Sequence, residues 1–477
     1  MIKNWLSHYN LRYPHSLVYM LQASEYNVRD YFFWYNRTDD FTNVERRKQL
    51  VKTKKALLLL TIAWAIVLFI CGLAVYILWF GVAPLKYFLS FLIVLGTPYF
   101  LAYGIVIPLL IIKILIQWPA EYLIINKARR QLEAHKAVKI AVAGSFGKTT
   151  MREILKTVLS EGKKVAAPPH SYNTPLGISR FVKTLAGDED VLIFELGEYY
   201  PGDIGKLCDL VQPDMGVITG INEAHLQKFK KLERTIKTVY ELADYLRNKP
   251  VYINNESELT QKNARRGNIT YNRTHVGDWK IGDQKTDLTG TSFTFVRKDM
   301  KLELKSALLG LHQIGPLATA ADIALNLGLS SSQVENGISK TKPFDHRLEP
   351  KIDGAGVITL DDSYNGNPGG VKAVIEFLAS LKKCRRFYVT PGLVEMGVQT
   401  EEVHKQIGNN LAKANIEKII LIKNSVTKYI EQGLREAEFK GDVLWFNDAR
   451  AVFAALPLLT VKGDVVLLQN DWPDQYQ

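Results

Sequence analysis

A glycine turn carrying a lysine and two threonines constrains this 477-residue chain more than any other feature. Gly144-Ser145-Phe146-Gly147-Lys148-Thr149-Thr150 follows the apolar run Ile140-Ala141-Val142-Ala143 and precedes a helical stretch, Met151–Leu159. Strand, glycine turn, lysine, hydroxyl and helix is the order that cradles a polyphosphate. Glycines let backbone N–H groups approach phosphate oxygens, and the positive end of the following helix favours an anion. Lys148 then offsets charge on the β- and γ-phosphates of ATP, and the Thr149 hydroxyl suits Mg2+. The general eight-residue loop would want glycine at Val142, so this is a shortened form.

Around the loop, short apolar runs alternate with amphipathic stretches. Strands are expected at Lys139–Ala143, Val191–Leu196, Gly216–Thr219 and Val251–Asn254, the alternation of a parallel sheet covered by helices. Residues 278–304 read instead as a small β meander turning at Gly282-Asp283 and Lys298-Asp299, followed by a helix over Leu317–Leu327. A second alternating set has strands at Val357–Leu360, Arg386–Thr390, Lys418–Ile422, Val443–Phe446 and Val465–Leu468, a smaller Rossmann-like α/β domain. The expected division is a central ATP-binding domain over 137–342 and a C-terminal domain over 343–477, with a hinge near Pro343–Pro350 and a cofactor site between them.

The front of the chain differs. No residue from Ala56 to Phe80 carries a formal charge, and a second apolar stretch runs from about Tyr87 to Ile112. Each is long enough to cross a hydrocarbon core of roughly 30 Å as a helix. Residues 56–118 are therefore expected as a transmembrane hairpin, followed by a linker over 119–136. Arg46, Arg47, Lys48, Lys52, Lys54 and Lys55 precede it, and Lys127, Arg129 and Arg130 follow. The positive-inside tendency places both flanks in the cytosol. The expected localisation is the bacterial cytoplasmic membrane, multi-pass, with the catalytic domains cytosolic. The net charge of +12 then suits membrane lipids and not nucleic acid. Within residues 1–55, the aromatic segment containing Tyr31-Phe32-Phe33-Trp34-Tyr35 is either a surface-lying helical region or a helical cap packed on the soluble domain. Cys71, Cys208 and Cys384 show neither pairing nor metal spacing, which fits a reducing compartment.

Further segments follow the glycine turn in order: Ser171-Tyr172-Asn173-Thr174-Pro175-Leu176-Gly177; Phe194-Glu195-Leu196-Gly197 with Pro201-Gly202-Asp203-Ile204; and Ile218 to Leu226, containing Ala224-His225-Leu226. Then come Gly310-Leu311-His312, Asp361-Asp362-Ser363-Tyr364-Asn365-Gly366-Asn367-Pro368, and Glu395-Met396-Gly397 before His404. Taken in this order, the chain from about residue 138 onward resembles the Mur ligases, most closely their D-Ala-D-Ala-adding branch. The resemblance implies an ADP-forming acid–amino-acid ligase using ATP and Mg2+, in which a carboxylate becomes an acyl phosphate and an amine displaces phosphate. It implies Mg2+ at Thr149 and Glu195. His225 becomes a ligand of a second Mg2+ or a contact to the acyl phosphate. It puts His312, Arg347, Asp361 and Asn365 on the nucleotide. The implied partners are amino-acid or peptide substrates and a UDP-linked or lipid-linked cell-wall precursor.

The pattern departs from the family in four places. Most Mur ligases carry a carbamylated lysine on the helix after the A-H-L histidine; aligning Phe229 and Glu241 puts Val239 there, with Lys237 on another side of the helix. Either another ligand compensates or the second metal site is altered. Pro316 occupies the place of an adenine-contacting asparagine, with Gln313 nearby. Gln469-Asn470-Asp471-Trp472 replaces the usual basic ending. Nothing in residues 1–135 resembles the family's uridine-binding domain. Two rival readings follow: a membrane-anchored poly-γ-glutamate-type synthetase, and an ATP-binding scaffold without chemistry.

Overall fold

The computed structural model describes residues 6–45, 49–169, 172–222, 231–364, 366–394 and 396–470. They form two compact units, one up to Leu123 and one from Ile124 onward.

The first unit is helical. Helices Tyr13–Ala23 and Val28–Tyr35 pack with a hairpin of Lys54–Phe80 and Leu85–Gly104, which continues into Val106–Ile112. Tyr13, Tyr31, Trp34 and Tyr35 share a core with Leu59, Ala63, Leu101 and Leu109. The Tyr31 hydroxyl donates to the Ala102 carbonyl at 3.0 Å, so this aromatic ring buries its polar tip with a partner. Tyr31, Trp34 and Tyr35 of the aromatic segment therefore pack into the hairpin's own core, while Phe33 stays exposed. Two helices, Lys54–Phe80 and the continuous stretch Leu85–Ala134, are long and apolar enough to cross a membrane, a match of length and composition only. Most of the expected linker is helix Trp118–Ala134, after a π-helical turn at Lys113–Gln117.

The second unit holds two sheets. The first is built from β1 (Val138–Ala143), β2 (Val165–Ala166), β3 (Val191–Glu195), β4 (Met215–Ile218), β5 (Val251–Asn254), β6 (Ile269–Tyr271), β7 (His275–Val276), β8 (Trp279–Asp287), β9 (Gly290–Arg297) and β10 (Met300–Ser306). Its order is β10-β9-β8-β7-β6-β5-β4-β1-β3-β2, with β1 to β6 parallel and the rest an antiparallel meander. Successive residues of one strand feed opposite cores: Ile140 and Val142 face one, Ala141 and Ala143 the other. That two-sided burial is why the strands read as continuous apolar runs. The order turns in both directions from β1, so the loop after β1 opens at a topological switch point, the usual ligand crevice of such sheets.

The meander is pinned to helix Ile314–Asn326. Trp279 stacks on Phe295 with centroids 4.2 Å apart, and its Nε1 donates to Asp322 at 2.8 Å. The turn expected at Gly282-Asp283 is instead a register shift within β8. The real reversal is at Leu288-Thr289, where the Asp287 carboxylate accepts from Thr289 N at 2.7 Å. The Asp287 side chain closes this turn, and Gly290 follows it at φ +140°. The second sheet comprises β11 (Glu349–Ile352), β12 (Ile358–Asp362), β13 (Arg386–Thr390), β14 (Lys418–Ile422), β15 (Asp442–Phe446) and β16 (Val465–Gln469), in the order β11-β12-β16-β13-β14-β15.

Candidate active site

The glycine loop connects β1 to helix Lys148–Leu159. Gly144 has φ +139°, and a Cβ there would lie 2.4 Å from Thr219 Oγ1 and 2.9 Å from the Gly220 carbonyl oxygen. Only glycine fits. Gly147, left-handed at φ +75°, starts the helix, and no side chain caps it. The helix's first N–H groups are thus open to a ligand, and its dipole favours an anion. The loop is held from behind: Ser145 N donates to the Gly220 carbonyl at 2.7 Å, and the Thr219 hydroxyl donates to the Phe146 carbonyl. Ser145 Oγ is buried with no partner, an unmet polar atom of the kind a phosphate oxygen satisfies. The loop fits a polyphosphate.

Beside the loop lies a dense polar cluster. Lys148 Nζ donates to both oxygens of Glu198, at 2.8 and 3.0 Å, and to the Gly144 carbonyl. Thr149 Oγ1 donates to Glu195 Oε2 at 2.9 Å, and Asn173 Nδ2 to Glu195 Oε1 at 3.3 Å. Arg152 reaches the same carboxylate at 3.5 Å. Glu195 and Glu198 are 4% and 3% exposed, and cations and hydrogen-bond donors surround both buried carboxylates. Asn173 arrives by a local device. Thr174 caps helix Pro175–Val182, accepting from Gly177 N at 3.2 Å, which fixes the turn carrying the neighbouring asparagine.

A cavity of about 720 Å3 opens between the first sheet's loops and the second sheet. Phe146, Gly147 and Thr150 form its wall on the glycine-loop side, with His312, Gln313 and Pro316 on another and Arg347, Asp362 and Gln469 from the C-terminal half. The His312 ring sits against Gly310 (φ +97°), where a Cβ would come 2.5 Å from its Cε1; the G-x-H spacing therefore seats the ring on a bare backbone. Burial and the nearby Arg273 guanidinium lower His312 to about 4. Gln313 Nε2 lies 2.8 Å from His312 Nε2, so the neutral ring accepts there and carries its proton on Nδ1. Arg347 lies over the Tyr364 ring at 5.1 Å. Burial raises Asp362, against the Gln469 amide that donates to it at 2.6 Å.

The expected residues thus divide in two. Lys148, Thr149 and Glu195 meet in the polar cluster; Phe146, Gly147, Thr150, His312 and Arg347 line the cavity. Asp361 does neither. Its carboxylate turns to His346 at 2.9 Å and Ser363 Oγ at 2.7 Å, and it is Asp362 that faces the cavity, because neighbouring strand residues point to opposite faces. His225 and Asn365 lie outside the described residues, as does Glu395. Val239 is fully buried in an apolar core, and Lys237 is exposed beside a separate pocket of about 300 Å3 with Glu233 and Asp244. Neither supplies an acid here. Sequence reasoning missed Glu198, whose only signal was a second glutamate three positions after Glu195. It also missed Arg273, which joins Glu256 at 3.2 Å to Glu376 at 3.2 Å.

Comparison with known proteins agrees with this geometry. Residues 142–324 match the Mur ligase middle domain, and residues 346–469 match the Mur ligase glutamate ligase domain. The UDP-N-acetylmuramoyl-tripeptide–D-alanyl-D-alanine ligase of Mycobacterium bovis is 28% identical over 304 residues, spanning 61% of this chain and 59% of that protein. The Bacillus subtilis ligase of the same name is 25% identical over 69% of this chain and 72% of its own length. The chain therefore spans less than two thirds of the mycobacterial relative. Among solved structures, the MurF ligase of Thermotoga maritima in complex with ADP superposes with a TM-score of 0.65 at 23% identity, covering 74% of this chain and 80% of that one. MurF of Acinetobacter baumannii superposes with a TM-score of 0.65 at 20% identity, covering 73% and 77%.

These findings correct the expected localisation. None of the matched ligases is described as a membrane protein by its name, and two apolar helices are weak grounds for a multi-pass membrane protein, since a core helix or a signal sequence passes the same test. Membrane lipids are likewise unsupported as partners. Through its middle and C-terminal domains, the chain belongs to the Mur ligase family.

Proposed function

We propose that this chain is an ATP-dependent, ADP-forming ligase that activates a carboxylate as an acyl phosphate for attack by an amine. Its substrates on this reading are those its relatives' names give: a UDP-N-acetylmuramoyl-tripeptide and D-alanyl-D-alanine, in peptidoglycan precursor synthesis. The observation that carries the reading is the uncapped glycine loop, with its orphaned Ser145 hydroxyl, opening on a cavity walled by both α/β sheets.

The chemistry asks for two things. Negative charge must be held as the carboxylate oxygen attacks the γ-phosphorus and ADP leaves, and water must be kept from the acyl phosphate. The loop's N–H groups and Lys148 grip the phosphates. Thr149 and Glu195 offer hard oxygens to Mg2+, which would supply charge neutralisation between phosphate oxygens. Mg2+ is commonly bound through one or two carboxylates together with substrate phosphates. Neutral His312, Gln313 and Arg347 line the volume left for the nucleoside. The amine then attacks the acyl carbon and phosphate departs, closing the amide.

Hydroxylamine trapping tests this. Wild type incubated with ATP, Mg2+ and the UDP-linked tripeptide should yield a hydroxamate, and Lys148→Ala should not. A ladder of products with glutamate would favour a polymerising synthetase. ATP binding without any hydroxamate across candidate acids would favour a scaffold.

A further inference from the structure

We propose that Glu198 is an exchangeable counter-charge: it holds Lys148 while the loop is empty, and on nucleotide binding it becomes the second carboxylate facing the Mg2+. The inference rests on the ligase reading and deepens it.

Three observations converge. First, the helix position where the family places a carbamylated lysine is Val239, buried among Leu242, Ile218 and Phe194, and Lys237 is exposed at another pocket. Among the described residues, that helix position therefore offers the site no acid. Second, Glu198 follows β3 by a short turn and reaches the loop lysine with both oxygens, at 2.8 and 3.0 Å. Lys148 is adjacent to Thr149, whose hydroxyl is on Glu195 at 2.9 Å. The two acids therefore hold consecutive loop residues. Third, the pair is deeply placed: side-chain exposure is 12% for Lys148 and 2% for Glu198. A polyphosphate in the loop draws Lys148 onto its oxygens, and Glu198 is then a buried anion without its cation. That arrangement is costly unless another cation arrives. Mg2+ would supply that positive charge, and the Glu198 carboxylate is the kind of oxygen ligand that would hold it. Exchange of partners keeps the charge count level in both states.

Mn2+ titrations followed by electron paramagnetic resonance, on the full chain with ADP, test this. Wild type should bind ADP without metal; if it does not, the ligase reading fails and not the role of Glu198. With ADP present, Glu198→Gln should weaken Mn2+ at least about tenfold, the scale on which support of a metal is lost. Its metal-free ADP affinity should hold or rise, because Lys148 no longer has a pair to break. A merely structural residue would weaken both. Without nucleotide, Lys148→Met should bind Mn2+ more tightly than wild type, since it frees Glu198 and does not depend on the glutamine variant folding. Unchanged Mn2+ affinity in either variant overturns the proposal.

Discussion

The two sheets of the α/β unit are built alike yet contribute to the site in opposite ways. In each, the central strands are buried on both faces: Tyr388 feeds one core while Phe387 and Val389 feed the other, as Ala141 does against Ile140 and Val142. The first sheet delivers its chemistry locally, with strand, loop, lysine and helix within one continuous stretch. The second delivers single side chains from strand ends far apart in sequence, Asp362 from β12 and Gln469 from β16, joined at 2.6 Å. A local device depends on backbone shape, whereas a dispersed one depends on the whole sheet folding and closing. The first should therefore break sharply at single residues, and the second by degrees.

The largest effect belongs to Lys148→Ala. On the proposed ligase reading its ammonium faces charge that grows as the γ-phosphoryl group transfers, so acyl phosphate formation should fall by roughly 10²- to 10³-fold or more. Hydroxamate yield measures it, and activity near wild type would remove the loop from the mechanism. Next comes Gly144→Ala. With φ at +139° and a methyl group forced to 2.4 Å from Thr219 Oγ1, either the loop or the Thr219 contact must shift. A backbone held in so restricted a region costs about 1–3 kcal/mol, read as a lower denaturant midpoint and weaker ADP binding. If both stayed unchanged, the loop would not be rigidly shaped.

The same contrast explains what was legible in the sequence. β5, β13 and β14 lie at the expected residues, because runs such as Val251–Asn254 and Lys418–Ile422 must be strands to bury both faces. The loop was legible because glycine, lysine and threonine at fixed spacing have few other uses. Asp361 and Asp362 were legible as a pair and not as individuals: which one faces the cavity depends on strand register, and periodicity cannot assign that when both sides are covered. Glu198 and Arg273 were not legible at all. Their partners lie 50 and 103 positions away, and nothing local marks a glutamate that will meet a distant lysine. The aromatic segment near Tyr31 left two readings open for a related reason, since amphipathic rings suit a membrane surface and a helical core equally.

Acid should act more on the first sheet's side of the cavity. His312 falls from its ordinary 6.5 to about 4 in the folded protein, through burial and Arg273. The unfolded chain therefore takes up this proton first as pH drops. The stabilisation is complete above about 6.5 and is lost as pH falls through 4. His404 shifts the same way by burial, outweighing the Thr400 carbonyl at 2.5 Å. Between pH 7 and 5, stability should drop by about 1–2 kcal/mol through His312, with partial solvent screening reducing the full linkage value. Urea midpoints at the two pH values should draw closer in His312→Gln, with His404 leaving a residual difference; an unchanged gap between them would contradict the assignment.

The smallest effect is expected where the two sheets' domains touch through charge. Arg273, beside the meander, reaches Glu376 on helix Pro368–Ser380 at 3.2 Å while also holding Glu256 at 3.2 Å. The Arg273 and Glu376 side chains are 31% and 46% exposed, so water and salt screen the pair. A double-mutant cycle of Arg273→Ala and Glu376→Ala should give a coupling of about 0.2–1 kcal/mol that shrinks further in high salt. Its consequence lies in closure more than in stability. Both residues line the cavity wall, so loosening this contact should change ADP affinity more than the unfolding midpoint. A coupling several times larger, insensitive to salt, would mean the C-terminal sheet is locked to the first and does not dock by degrees.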